Sequence, residues 1–247
     1  MDATIHTPID DYREWPVPSA LRPMVSAIWS AAPRAVPALV TPDNSSDVIL
    51  QLYPDGSVAR AVAVGTMSRP IAVQASTLPA FGVRFRPGWA RGVLGVPAAE
   101  LRDDVVPLAD LHPELASAVA GRVTSLDIVS WLSAAVGRVA EQSPGPPPLV
   151  RDALAEIERS GGAVRIAALA GQAQRSRQQL ARAFDEWVGV SPKFASRVVR
   201  IARVCADARP GAPDRWSALA YAYGFADQSH LVREMRALRG VTPGGRG

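Results

Sequence analysis

The sequence predicts an α+β chain, with a small β-sheet or partial barrel and helices in its first half and an all-α domain in its second half. Two observations predict this class. Short extended segments bounded by turn residues fill residues 24–86, whereas helical periodicity runs through the last hundred residues. A length of 247 residues suits two domains, and an apolar content of 48% is ordinary for a globular chain.

Five segments of the first half have the pattern of strands and are separated by Pro, Gly, Asn and Asp. They are residues 25–30, 47–53, 58–65, 71–75 and 79–86. Asp55 and Gly56 stand between two of them and predict a hairpin turn. Residues 108–141 then show apolar side chains at three- and four-residue spacing, which predicts two helices that fold against the sheet or pair with a second subunit.

Residues 143–148, Ser-Pro-Gly-Pro-Pro-Pro, mark a boundary because such a stretch can neither continue a helix nor donate to a sheet. We therefore expect a β-rich sensor or dimerisation domain at 1–142, a hinge-like linker at 143–148 and a helical domain at 149–247. The helical domain carries 16 Arg and Lys against 9 Asp and Glu, while the preceding residues carry 11 against 14. A basic half of this kind is typical of a surface that binds phosphates.

A helix-turn-helix pattern occupies residues 217–238. Gly224 ends an apolar face and tolerates a left-handed turn, and Asp227 follows as the N-cap of the next helix. That helix has an apolar stripe at i, i+4 and i+7 from Leu231. Its opposite side carries donors and acceptors that suit DNA: Gln228, Ser229, Arg233 and Arg236, with His230 on the flank.

A second copy of the pattern occupies residues 166–187, with Ser176 as the N-cap of its second helix. The outward side of that helix carries Arg175, Gln178, Ala181 and Arg182. Arg can bridge O6 and N7 of guanine, and Gln can bridge N6 and N7 of adenine. Both copies therefore have the chemistry of base reading, although the same side chains also fit the solvated face of an ordinary amphipathic helix.

Residues 191–209 predict one helix between the two copies, with Ser191 as its cap, Pro192 in its first turn and Pro210 after its end. Such a helix is roughly 28 Å long. Successive major grooves on one side of B-DNA are roughly 34 Å apart. One chain could therefore place both copies in neighbouring grooves without a dimer.

Residues 224–243, GFADQSHLVREMRALRGVTP, resemble the signature of the AraC/XylS-type transcription regulators, and residues 169–184, LAGQAQRSRQQLARAF, resemble the first unit of their DNA-binding domain. The first unit has Gln174 where the family usually has Gly. The resemblance implies binding to double-stranded DNA, with RNA polymerase as a partner. It assigns base contacts to Gln178, Ala181, Arg182, Gln228, Ser229, Val232 and Arg233, with His230 beside them. We expect backbone contacts from Arg175, Ser176, Arg177 and Arg236.

The first half resembles a domain of unassigned function that is attached to a branch of the same regulators, most clearly in residues 81–108 and in PDNSSDVIL from Pro42. An effector site there would draw on aromatic and cationic side chains, namely Trp15, Trp29, Arg84, Arg86 and Trp89. Strand alternation places Arg84 and Arg86 on one face, where both could equally face solvent or pair with Asp103 and Asp104.

The sequence gives no support to an enzyme, a metal site or a cofactor. Its three histidines are scattered, and it has neither a phosphate-binding glycine loop nor a nucleophile elbow. Cys205 fits a core position better than a redox sensor. No signal peptide or membrane-spanning stretch is visible, so we expect a cytoplasmic protein. The alternative to a DNA-binding regulator is a helical protein-interaction platform fused to a β-rich binding module or enzyme.

Overall fold

A computed structural model describes residues 12–123, 127–208 and 215–241, and it confirms the α+β class. The strands are β1 (Arg13–Trp15), β2 (Val25–Ala31), β3 (Ala38–Val40), β4 (Ser46–Leu52), β5 (Val58–Val64), β6 (Ile71–Val73), β7 (Ala80–Phe85) and β8 (Val105–Pro107). The helices are α1 (Ala90–Leu94), α2 (Leu108–Leu111), α3 (Pro113–Ala118), α4 (Ile128–Ala140), α5 (Pro148–Arg159), α6 (Ile166–Gln172), α7 (Arg177–Trp187), α8 (Pro192–Asp207), α9 (Arg215–Ala222) and α10 (Gln228–Arg239).

Six strands form one antiparallel sheet in the order β1-β2-β7-β4-β5-β8, and β3 pairs with β6 in a separate two-stranded sheet. The predicted hairpin turn joins β4 to β5, where Gly56 has a φ of +82°. The sequence analysis missed β1, β3 and β8, which have three residues each, whereas the equally short β6 was predicted as part of a longer segment, residues 71–75.

One face of the large sheet is covered by helices and forms the main core. Val48, Val83 and Phe85 of the sheet belong to one buried cluster with Leu132 and Val136 of α4. The prediction of two helices over residues 108–141 was wrong in number, since α2, α3 and α4 are separate. His112 separates the first two, because its φ of −144° ends α2 and its Nδ1 accepts a hydrogen bond from the Leu115 amide at 3.1 Å to start α3.

The other face of the sheet buries an ionic network around Arg84, which is only 7% exposed. Its Nε lies 3.2 Å from an Asp43 carboxylate oxygen and 3.5 Å from one of Asp47. Trp29 donates from Nε1 to Asp47 at 2.7 Å, and its ring fills the space opposite Gly82 that a Cβ would occupy. The expectation that Arg84 faces solvent or pairs with Asp103 and Asp104 is therefore wrong, because this face of the sheet is also covered.

The segment between α4 and α5 lies against α1 rather than acting as a free hinge. A Cβ at Gly92 would lie 2.1 Å from the Pro144 carbonyl oxygen, and one at Gly145 would lie 2.7 Å from the Trp89 ring. The linker also ends one residue earlier than the predicted 143–148, because Pro148 is the first residue of α5. Proline is favoured there because its missing N–H is not needed in the first helical turn.

The C-terminal helices form two small cores that share α8. Ala195 and Val199 of α8 belong to a cluster with Leu180 and Phe184 of α7. A different face of α8 supplies Val198, Ile201 and Val204 to a cluster with Leu231, Met235 and Leu238 of α10. Cys205 packs beside that second cluster, where burial raises the pKa of its thiol and so lowers its reactivity.

No helix in the described parts of the chain combines the length and apolarity needed to cross a membrane.

Candidate nucleic-acid interface

The first helix-turn-helix unit consists of α6 and α7, joined by a tight turn at residues 173–176. Ser176 caps α7 as predicted: its Oγ accepts from the Gln179 amide at 3.1 Å, and its own amide donates to the Gln179 side chain at 2.9 Å. Gln174 adopts a φ of +50°, a left-handed conformation that glycine adopts most readily. The unit therefore keeps the turn geometry despite the unusual residue.

Gln174→Gly is expected to leave the free energy of unfolding unchanged or to raise it by about 0.5 kcal/mol, because relief of left-handed strain of about 1 kcal/mol outweighs the extra freedom of the unfolded chain. The matched change is Gly224→Ala in the second unit, where φ is +69° and a Cβ would meet nothing within 4 Å. That variant is expected to lose about 1 kcal/mol from backbone strain alone. Urea unfolding measures both, and a clear loss of stability on Gln174→Gly contradicts the assignment of strain.

The predicted readers of the first unit are exposed on α7. Gln178, Ala181 and Arg182 all face away from the buried stripe formed by Leu180 and Phe184. Arg175 and Arg177, the predicted backbone contacts at the start of α7, are exposed as well. Ser176 is also exposed, but its hydroxyl is used to cap the helix.

The second unit consists of α9 and α10, and Gly224 provides the left-handed turn between them. Asp227 caps α10 by accepting from the His230 amide at 2.7 Å, and Gly240 ends the helix with a φ of +68°. We name α7 and α10 the reading helices. Ser229, Arg233 and Arg236 are exposed on α10.

Three predicted readers of the second unit are less available than the sequence implied. The Gln228 Oε1 accepts from the Ser217 hydroxyl at 2.7 Å, which ties this side chain to α9. His230 turns toward the turn before α10, since its Nδ1 lies 3.4 Å from the Ala226 amide that donates to it and its ring meets the edge of Phe225. Val232 is half-buried. Arg233 and Ser229 therefore dominate the exposed chemistry of α10.

The helix predicted between the two units is α8, which begins as expected with Ser191 accepting from the Phe194 amide at 3.1 Å. Its 16 residues give a length of roughly 24 Å, shorter than predicted because it ends at Asp207. Arg209, the last residue of the prediction, lies outside the described residues.

Arginines of α8 bind the two units to this helix. Arg197 forms a two-point ion pair with Glu234 of α10, at 2.6 and 3.2 Å. Arg200 donates to the Gly162 carbonyl before α6 at 2.6 Å, and its guanidinium lies 5.5 Å from the centre of the Phe225 ring after α9. These contacts and the two cores that share α8 fix both units to this one helix.

The N-terminal domain contacts α7, α8 and the end of α10. Asn44, which is 3% exposed, donates from Nδ2 to the Ala195 carbonyl of α8 at 3.1 Å. At the end of α10, a Cβ on Gly240 would lie 2.7 Å from a Leu39 side-chain carbon. Arg102 donates a hydrogen bond to the Asp185 carboxylate of α7. The sequence analysis overlooked Asp185, although it lies about two helical turns after Gln178 and therefore on the same side of α7 as the predicted base contacts. We call this side of α7 its reading side.

The side chains predicted for an effector site do not converge. Trp29 and Arg84 belong to the buried ionic network, whereas Trp15 donates to the Ser30 hydroxyl at 3.2 Å near the edge of the sheet. Arg86 donates to the Arg22 carbonyl at 2.8 Å, and Trp89 packs on the linker. Each holds a different part of the N-terminal domain together.

Comparisons with known protein families match the N-terminal and C-terminal parts of the chain separately. Residues 13–107 match the family described as a domain of unknown function, DUF6597, and residues 169–245 match a family described as a helix-turn-helix domain. The resemblances predicted for both halves are thereby confirmed. The comparison with curated proteins gives no match.

Solved structures of ToxT from Vibrio cholerae are similar to the chain. A P21 crystal form is 12% identical with a TM-score of 0.45, and the alignment covers 95% of this chain and 97% of that one. A structure from strain O395 is also 12% identical, with a TM-score of 0.41 and coverage of 87% and 94%.

Proposed function

We propose that this chain, whose C-terminal domain is an AraC-type helix-turn-helix domain, is a sequence-specific transcription regulator that places its two reading helices in successive major grooves of one DNA duplex. One observation carries the proposal. The helix α8 supplies core residues to both units, while reader side chains of both units stay exposed. The single helix α8 therefore fixes the distance between the two reading helices, and a dimer is not required.

Gln178, Arg182 and Arg233 carry the direct readout in this proposal. All three are exposed, and their amide and guanidinium groups match the acceptor and donor pairs of adenine and guanine in the major groove. Arg175, Arg177 and Arg236 hold phosphates and set the register of the protein on the duplex. The proposal includes no catalytic step for either domain.

The N-terminal domain, in our proposal, senses an effector or a partner and passes the signal to DNA binding and to RNA polymerase. Its contacts with α7, α8 and α10 support this role, because a movement of the loops at Asn44 and Arg102 or of β3 would reach both reading helices. A cleft of about 560 Å³ lies at the end of the large sheet and is lined by Leu52, Tyr53, Pro79 and Phe81 among others. Its largely apolar wall suits a small apolar effector.

Selection of DNA from a random-sequence pool by the full chain tests the proposal. We expect a recovered motif with two short conserved segments about 10 base pairs apart, centre to centre. Affinity for it should fall steeply between about 50 and 200 mM salt, because several arginines displace counterions from phosphates. Weak binding without sequence preference would contradict the proposal and favour a helical protein-interaction platform joined to a binding module or enzyme.

A further inference from the structure

The first reading helix is electrically neutral by itself. Arg177 and Arg182 give α7 two positive charges, and Asp185 and Glu186 give it two negative charges. Position in the helix makes Asp185 important: at about 100° per residue it lies only about 20° around the axis from Gln178. A carboxylate on the side that faces DNA repels phosphates unless a cation compensates its charge.

Both carboxylates of α7 are paired with arginines of the N-terminal domain. Arg102 binds the Asp185 carboxylate through Nη2 and the Gly189 carbonyl, just beyond the end of α7, through Nε. Arg91 lies 2.7 Å from a Glu186 carboxylate oxygen, and its guanidinium lies 4.5 Å from the centre of the Trp187 ring. Each arginine is thus fixed at two points.

The second reading helix shows the same arrangement with a different source of the cation. Glu234 is the one acidic residue in the sequence of α10, and it pairs with Arg197 of α8 at 2.6 Å. All three acidic side chains of the reading helices are therefore paired with arginines from elsewhere in the chain. Only the first reading helix depends on the N-terminal domain for this.

The N-terminal residues stand directly beside the reading side of α7. A cleft of about 450 Å³ has Ser68 and Arg102 on one wall and Ala181, Arg182 and Asp185 on another. A duplex that contacts Arg182 would approach this wall closely. The charge of Arg102 consequently acts at short range on the phosphates as well as on Asp185.

We infer that Arg91 and Arg102 belong to the DNA interface as positioning residues, which neutralise the acidic end of α7 and so give the first reading helix a positive field. The inference rests on the proposed function and deepens it. It makes the N-terminal domain a direct contributor to DNA affinity, in addition to any role in sensing.

A double-mutant cycle on the full chain tests this inference, with a DNA site taken from the selection and about 50 mM salt. Arg102→Ala is expected to lower affinity about threefold to tenfold, because it exposes the Asp185 charge and removes a nearby cation. Asp185→Asn alone should raise affinity by a similar factor, because it leaves the Arg102 charge uncompensated beside the phosphates. The combined variant should recover most of the loss. At about 0.5 M salt the effect of Arg102→Ala should shrink, because salt screens it.

Arg60→Ala is the control. Arg60 is also an exposed arginine of the N-terminal domain, and it lies on β5, which pairs with β4 and β8. We expect a change in affinity within about twofold. Arg102→Gln, which keeps hydrogen-bond donors without the charge, should behave as Arg102→Ala does and serves if the alanine variant folds poorly.

Two results would overturn the inference. Tighter DNA binding by Arg102→Ala would mean that the N-terminal domain covers the reading side instead of assisting it. A loss that Asp185→Asn does not recover would mean that Arg102 acts through packing alone. Failure of the unaltered chain to select any DNA is a different outcome, which removes the proposed function itself and this inference with it.

Discussion

Arg233→Ala is expected to lower affinity for a selected DNA site about tenfold to a hundredfold and to remove the preference at one base pair. Arg233 is exposed on the side of α10 opposite Leu231 and Met235, and our proposal assigns it the bidentate contact with a guanine. Loss of a bidentate contact costs most on the preferred base. Fluorescence anisotropy with the selected site and its single-base variants measures both effects.

Arg236→Ala provides the comparison for this experiment. Arg236 is exposed in the last turn of α10 and is assigned to a phosphate. Its removal should weaken binding to all sequences equally and reduce the slope of affinity against salt by about one ion. If Arg233→Ala instead gives such a uniform loss, Arg233 holds only the DNA backbone and the assignment of direct readout is wrong.

Arg84→Ala is expected to destabilise the N-terminal domain by about 3 to 5 kcal/mol, because it leaves two buried carboxylates without their cation. Asp43 and Asp47 lie 3.2 and 3.5 Å from the Arg84 Nε and are themselves largely buried. Asp43 also accepts from the Ser45 amide at 2.9 Å and so shapes the loop that presents Asn44 to α8. Urea unfolding monitored by tryptophan fluorescence measures the loss.

Arg86→Ala is the matched control, since Arg86 follows Arg84 by two residues and was assigned to the same effector site. Its guanidinium donates to the Arg22 carbonyl at the surface of the domain. We expect a loss of about 1 kcal/mol or less. Equal small losses for both variants would show that Arg84 faces solvent, one of the two alternatives that the sequence left open, and would reopen it as an effector ligand.

The two helix-turn-helix units could be predicted from the sequence because their signals are local. Ser176, Ser191 and Asp227 cap helices within a few residues of the apolar stripes that they precede, and Gly224 marks a turn by its own backbone freedom. Each of these effects acts over one or two helical turns. The exposure of Gln178 and Arg233 follows from the same periodicity.

The N-terminal domain was less predictable because its decisive contacts join distant residues. Alternation in β7 correctly separated Arg84 from Phe85, but only the packing of Trp29 and of the Asp43 loop buries that second face. The pairing of Asp185 with Arg102 joins residues 83 positions apart, which no local pattern reveals. The spacing of Asp185 from Gln178 along the sequence could nevertheless have placed this carboxylate on the reading side of α7.

Our central claim is that α8 holds the two reading helices in neighbouring major grooves. Hydroxyl-radical footprinting of the full chain on a selected site tests it most directly. We predict two protected segments on the same face of the duplex, about 10 base pairs apart. Gln178→Ala combined with Arg182→Ala should erase one segment, and Arg233→Ala should weaken the other. A single protected segment that depends on only one of the two reading helices would contradict the account.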